Sequence, residues 1–226
     1  PLYVSTVDSG NFIGYMMVTK EGVAEYIRST IPATSSASGV MDTLRLVEEE
    51  EGVSASDGIN LALEELCNGC CMDLKKWESV LKEIKAWIDS LGMPAGRNKN
   101  EWRNKLAGMV DEYLAELYFF YPVLSKPEII NVLNKLDESL ADSMLKPDSP
   151  ENLLSKYTSA LNLPDNEHKD DVGLKEACEN IRALLDFCYS LIERMARLID
   201  ATEFRPLFDN KRQLFSIGYN AADGHL

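Results

Sequence analysis

Leu174, Cys178, Ile181, Leu185, Cys188, Ile192, Met195 and Ile199 alternate steps of four and three along one stretch of the sequence. That spacing is the seam of an α-helix packed in the manner of a coiled coil. Leu184, Leu191 and Leu198 widen the stripe, so the helix meets more than one neighbour. With several other helical patterns upstream, the stripe predicts intramolecular packing in a bundle and not a lone coiled-coil dimer. Trp77, Val80, Leu81, Ile84, Trp87, Ile88 and Leu91 form one such face, ended by Gly92 and Pro94. Trp102, Leu106, Met109, Val110, Tyr113, Leu114 and Leu117 repeat it up to Pro122. Ile129, Leu133, Leu136, Leu140 and Met144 make a third face, opened by Ser125 and closed before Pro147. Shorter helices are predicted from Asp57 to Leu66 and from Pro150 to Leu161, the latter capped by Ser149.

Both ends depart from this pattern. Thr6 to Asn11 reads as a polar turn leading into a helix from about Phe12 to Arg28. Ser29 to Gly39 reads as a small-residue linker, and Glu48 to Glu51 as solvated surface. After Phe204-Arg205-Pro206-Leu207-Phe208 the helical period stops. Asp209-Asn210-Lys211 then reads as a turn and Leu214 to Tyr219 as a strand, which together predict a hairpin. Such a hairpin is marginal in water unless it packs on something. The expected fold is all-α, a multi-helix bundle with one small C-terminal β-hairpin.

Charge narrows the partners. The 37 acidic and 23 basic residues give a formal net charge of −14, which repels phosphate backbones and anionic lipid and argues against a nucleic-acid partner. No stretch approaches the roughly 18 uncharged apolar residues that a membrane span needs. Direct membrane contact and a signal segment are therefore not expected, and the segment reads as cytoplasmic in type. Opening at Pro1 and ending at Leu226, the sequence reads as an excerpt of a longer chain. Cys67-x-x-Cys70 has the spacing of a paired thiolate ligand. It lacks a second such pair, and His168 and His225 are far away, so no metal, disulfide or cofactor is expected. Cys178 and Cys188 lie on an apolar helix face, where cysteine behaves as a small hydrophobe.

Carboxylates are too numerous for their count to mark a site. Most, such as Glu78 and Glu83 beside Lys82, read as a solvated helix face. Asp8 stands apart, in a turn with Ser9, Gly10 and Asn11, where it either caps the following helix or projects into a cleft. Trp77, Trp87 and Trp102 all fall on apolar faces and read as core rather than as sugar-stacking surfaces. No Ser/His/Asp arrangement and no complete glycine-rich phosphate loop is present.

Tyr3-Val4-Ser5-Thr6-Val7-Asp8-Ser9-Gly10-Asn11, followed by Gly14-Tyr15, closely resembles a motif of the cyclic β-1,2-glucan synthases. Phe204-Arg205-Pro206-Leu207-Phe208-Asp209, Arg212, Leu214 to Asn220 and Gly224-His225-Leu226 resemble a second motif of that family. The two cover about a fifth of the chain and stand in the family's order. The resemblance implies a very large parent enzyme with a membrane-embedded glycosyltransferase, a glucoamylase-like helical domain and a phosphorylase-like region. UDP-glucose would be its donor and a cyclic β-1,2-glucan its product.

Both motifs belong by resemblance to the glucoamylase-like region, an α/α toroid. The chain then divides into a motif loop with a toroid-type helix (1–29), a helical insertion (30–170), a long closing helix (171–203) and a β-hairpin with the motif tail (204–226). By the same resemblance Asp8, Asn11, Tyr219 and Asn220 would bind substrate, while the family's catalytic acids take no assignable position here. The expected role is a structural, partly glucan-facing segment, inactive alone, whose partners are β-1,2-glucan and other domains of the parent. The competing expectation is a helical interaction module whose insertion docks another domain or subunit. Because insertions leave a scaffold from adjacent points, the two motif ends are expected to lie together.

Overall fold

A computed structural model of the chain describes residues 3–69, 72–92, 101–126, 129, 137–162, 172–221 and 224. In chain order these begin with β1 (Tyr3–Ser5), α1 (Thr6–Tyr26), α2 (Thr34–Glu51), α3 (Asp57–Asn68) and α4 (Leu74–Ser90). There follow α5 (Glu101–Phe120), α6 (Pro122–Ser125), α7 (Glu138–Met144), α8 (Pro150–Leu161) and α9 (Val172–Ala201). A 3-10 turn (Arg205–Leu207) leads to β2 (Phe208–Asp209), β3 (Leu214–Phe215) and β4 (Gly218–Asn220). The described residues are thus mostly helical, with two small antiparallel sheets, β1–β4 and β2–β3. They fall into two compact units, Pro1–Arg28 with Leu184–Leu226, and Ser29–Ala183. Helix α9 begins in the second and continues into the first.

In Ser29–Ala183, four helices start where a side chain can satisfy their free amides. Ser56, Asp73, Asp137 and Ser149 accept the N–H of Ile59, Lys76, Leu140 and Asn152, so α3, α4, α7 and α8 are all capped. Helix α2 packs on α3 and α5, and α4 on the same two helices. Val40, Leu44 and Val47 from α2, Leu63 from α3, Trp77, Leu81 and Ile84 from α4, and Leu106 and Val110 from α5 are all buried. Each contributes on the order of 1.5–3 kcal/mol by leaving water. Trp77 meets Tyr113 edge to face at 5.6 Å.

Tyr121, fully buried between α5 and α6, ties two distant segments together. Its hydroxyl donates to the Ile31 carbonyl and accepts the Asp148 N–H at 2.9 Å. Ile31 in turn donates its N–H to the Asp148 carbonyl at 3.0 Å. Tyr157, also fully buried, donates to the Phe120 carbonyl. Burial pushes both phenols above their ordinary pKa. The Asp148 carboxylate takes a 2.8 Å ion pair from Lys156, 2.7 Å from the Asn152 amide and 2.8 Å from the Ser149 N–H. Burial pushes its pKa up, but these three donors outweigh it and hold the group below its ordinary value.

The other unit is covered differently. Helix α1 has no single apolar face: its apolar residues are spread among Asp8, Asn11, Lys20, Glu21 and Glu25, and only Ile13 of its 21 residues is buried. Val7, Phe12, Tyr15 and Val18 remain 60–73% exposed.

Several expectations are corrected here. The linker foreseen over 29–39 is cut short, because Thr34 already opens α2. Ala37, Val40 and Thr43 of that helix are buried, and small side chains permit close packing without a strong apolar stripe. Glu48 to Glu51 end this helix and are not simply solvated: Glu48 accepts the Ala55 N–H at 2.7 Å, and Glu51 is 19% exposed beside Arg103. Helix α1 starts at Thr6, not near Phe12, since Ser5 caps it. The third predicted face is not one helix from Ser125. Asp137 is extended (φ −155°) and starts α7 afresh, while Leu133 and Leu136 lie outside the described residues. Glu78 is 15% exposed because the Tyr118 hydroxyl reaches it at 2.7 Å. Of the tryptophans only Trp77 is core. Trp87 is half-buried, and Trp102 is exposed under the Lys105 ammonium, 4.3 Å from its ring centroid.

Tyr121→Phe keeps the ring and leaves the buried Ile31 carbonyl and the part-buried Asp148 N–H without the hydroxyl. Chemical denaturation should show a loss of about 2–4 kcal/mol, since each unsatisfied buried group costs about 1–3 kcal/mol. Asp148 supplies a pH test. Its depressed pKa means that its contribution is present above the ordinary carboxylate value near 4 and is lost as pH falls through the folded value. Asp148→Asn should therefore lower stability at pH 7 more than at pH 2; an equal loss at both would remove the ion pair as the cause.

Candidate functional site

The two motif ends meet in one ribbon. β1 pairs antiparallel with β4 in the register Tyr3↔Asn220, Val4↔Tyr219 and Ser5↔Gly218. The pairing extends one bond further, Thr6 N–H donating to the Ile217 carbonyl at 3.0 Å. Ser5 then turns the chain into α1 by accepting the Asp8 N–H at 3.2 Å, while Ser9 donates its hydroxyl back to the Ser5 carbonyl at 2.7 Å. Gly218 is buried because the Tyr3 ring crosses it. A Cβ there would collide with that ring and come within 2.6 Å of the Val4 carbonyl, so only glycine fits.

Next to the ribbon stands the β2–β3 hairpin. Its register is Phe208↔Phe215 and Asp209↔Leu214, with the two phenyl rings edge to face at 5.3 Å. Asp209 organises the turn by accepting the N–H groups of Lys211 at 2.8 Å and Arg212 at 3.2 Å, and Gln213 adopts a left-handed φ of 57°. The hairpin and ribbon frame a cleft of about 600 Å³, lined by Tyr3, Asp209, Arg212, Phe215 and Asn220 among others. A second cavity of about 280 Å³ is lined by Ser9, Phe204, Leu207 and Tyr219.

The four residues expected to bind substrate are therefore not gathered at one point. Asn220 lines the larger cleft and its neighbour Tyr219 the smaller cavity, as the alternating faces of a strand require. Asp8 and Asn11 lie on the first two turns of α1, both exposed. Asp8 is not the cap that its setting suggested. Ser5 holds that position, and Asp8 is the acidic residue of the first turn, where the helix dipole favours a negative charge. The hairpin is also shorter than expected, because the stretch read as one strand from Leu214 to Tyr219 breaks at Ser216 and Ile217. Tyr3, Arg212 and Phe215 line the cleft without having been singled out. Each lies inside a quoted motif, but only the strand register brings them together.

Among the described residues no group of three or more His, Cys, Asp or Glu side chains could hold a metal ion. Cys70, Cys71, His168 and His225 lie outside them. Cys178 and Cys188 are buried free thiols whose pKa burial pushes up, and Cys67 is a half-buried free thiol that accepts from the Ser38 hydroxyl at 3.5 Å. No described helix is long and apolar enough to cross a membrane. No model of a known protein family and no curated protein matches this chain.

Gly218→Ala should separate β1 from β4, since the added carbon meets both a ring and a backbone oxygen. The expected readout is amide exchange at Thr6 accelerated by about tenfold or more, from an overpacking cost of about 1–3 kcal/mol. Unchanged exchange would mean that the Tyr3 ring yields freely.

Proposed function

We propose that this chain is a segment of a large carbohydrate-active enzyme resembling the cyclic β-1,2-glucan synthases. In this proposal it contributes structure and part of a glucan-facing surface. The observation that carries the proposal is the pairing of the two family-like motifs, 3–11 and 204–220, in one ribbon beside a 600 Å³ cleft. The lining mixes exposed aromatic rings with hydrogen-bonding groups, which suits a polyhydroxylated ring. In the parent, Asp8, Asn11, Tyr219 and Asn220 would belong to the surface that follows the glucan, with UDP-glucose used elsewhere.

Catalysis by this chain alone is not part of the proposal. Glycoside hydrolysis needs two carboxyl groups roughly 5–9.5 Å apart across the bond. Among the described residues the cleft lining contains one, Asp209, and the turn amides of Lys211 and Arg212 already occupy it.

A docking role for the chain is also favoured by one observation, though at a different place from the insertion. The exposed apolar surface of α1 calls for cover by another domain or subunit. Among the described residues of Ser29–Ala183 the large exposed apolar side chains are scattered: Val53, Leu61, Trp102 and Phe119.

Titration of the chain with linear β-1,2-glucan should give saturable binding and no released sugar. Absence of binding would remove the glucan-facing role, and release of sugar would overturn the view of the chain as catalytically incomplete.

A further inference from the structure

Tyr3 and Phe215 stand on the rim of the 600 Å³ cleft with 55% and 58% of their surfaces in water. Exposed rings in an apolar patch would ordinarily signal a protein contact. Leu214 and Ile217 of the lining are exposed as well, but Asp209, Arg212 and Asn220 set hydrogen-bonding groups among these apolar side chains. The hydroxyl end of the Tyr3 ring occupies the space that a side chain on Gly218 would fill, and the residue lines the cleft. Among the described residues of the lining the two charged groups compensate each other: Asp209 Oδ2 lies 3.8 Å from Arg212 Nε. Asp209 Oδ1 is further engaged by two turn amides. A set of described lining residues with no net charge offers little to a phosphate or carboxylate. Arg212 is nevertheless 82% exposed, so most of its N–H donors still point to water. The Ser216 hydroxyl is committed to the Gly218 carbonyl at 2.9 Å and is not an available arm.

We propose that this cleft is a subsite for one neutral pyranose ring. Tyr3, seated on Gly218, is the platform on which the C–H face of the sugar stacks, and Arg212 is the arm that donates to its hydroxyls. The inference rests on the glucan-facing reading and goes beyond it by assigning the contact to Tyr3 and Arg212. Stacking removes the exposed face of the phenol from water, while the guanidinium satisfies hydroxyls that the ring would otherwise bury unpaired. Gly218 is a positioning residue, since any side chain there displaces the platform.

The test is titration of the chain with linear β-1,2-glucan oligosaccharides, followed by affinity and by the upfield shift that an aromatic face imposes on stacked sugar protons. Tyr3→Phe should bind like the unmodified chain and keep the shift. Tyr3→Ala should lose about tenfold in affinity and abolish it, on the scale of one aromatic contact. Tyr15→Ala, on α1 and 73% exposed, is the control and should change neither. If the unmodified chain binds no β-1,2-glucan, the functional proposal fails and the subsite with it. If it binds and folded Tyr3→Ala binds equally well, only the subsite is overturned. Should Tyr3→Ala melt early, Arg212→Ala decides: its side chain lies outside the ribbon, and unchanged affinity overturns the subsite.

Discussion

A backbone carbonyl removed from water must find a donor, and the interior of Ser29–Ala183 meets that demand with tyrosine hydroxyls. Where α5 ends, the chain bends through Phe120 and Tyr121 within the core, so ladder hydrogen bonds are not available to every group nearby. Tyr157 serves the Phe120 carbonyl, and Tyr121 serves Ile31 and Asp148 at once. The segment entering α2 and the segment entering α8 are thereby placed against the end of α5. Asp148 then fixes the first turn of α8 through Ser149 and Asn152, and Lys156 reaches from it to the Ser143 carbonyl at the end of α7. Packing of the apolar stripes supplies the bulk of the stability, and these polar contacts hold the entries to α2 and α8 at the end of α5.

Charge and cover divide between the two units in opposite ways. Of the 37 acidic and 23 basic residues, 28 and 16 lie between Ser29 and Ala183, leaving nine and seven in the other unit. The unit that closes its own core is thus the strongly acidic one. The unit with the ribbon is nearly neutral and leaves much of α1, Phe187 and Leu198 in water. A neutral, incompletely covered surface is compatible with enclosure by further protein and with an uncharged sugar, and poorly suited to long-range steering of ions. The proposed glucan role needs both properties in one place.

Helices with strong periodic stripes were legible in the sequence. Ser149, Pro150 and the apolar residues after them specify the start of α8, and Trp77 to Ile88 the buried face of α4. Helix α2 was not legible, for a physical reason. Its N-cap, Ala33, makes no side-chain bond, and its buried face begins with Ala37 and includes Thr43, whose hydroxyl is absorbed by the Gly39 carbonyl at 2.8 Å. Serine, threonine and glycine favour turns locally, and tertiary packing overrides that preference here. The opening of α1 misled through its composition. A stretch of Thr, Asp, Ser, Gly and Asn has the look of a turn, while the cap that converts it to a helix is the preceding serine.

The candidate site was legible as two motifs and not as a cleft. Two adjacent residues such as Tyr219 and Asn220 look like one site in a sequence, but a strand sends them to opposite faces. Conversely, Tyr3 and Arg212 are 209 positions apart and share a cleft only because β1 and β4 pair. Periodicity carries no information about such a partner. The hairpin at residues 208–215 was expected to need something to pack against. What the ribbon supplies is a mutual dependence: β1 contributes the ring, β4 contributes the one residue type that admits the ring, and the Asp209 turn holds the arginine at the same rim. Each part is weak alone, since three-residue strands and a two-residue hairpin bury little surface. Their joint placement follows from the glycine. With a side chain at residue 218 the ring could not cross the strand and the two ends of the motif pair would be driven apart. The cleft would then lose one of its two aromatic rings.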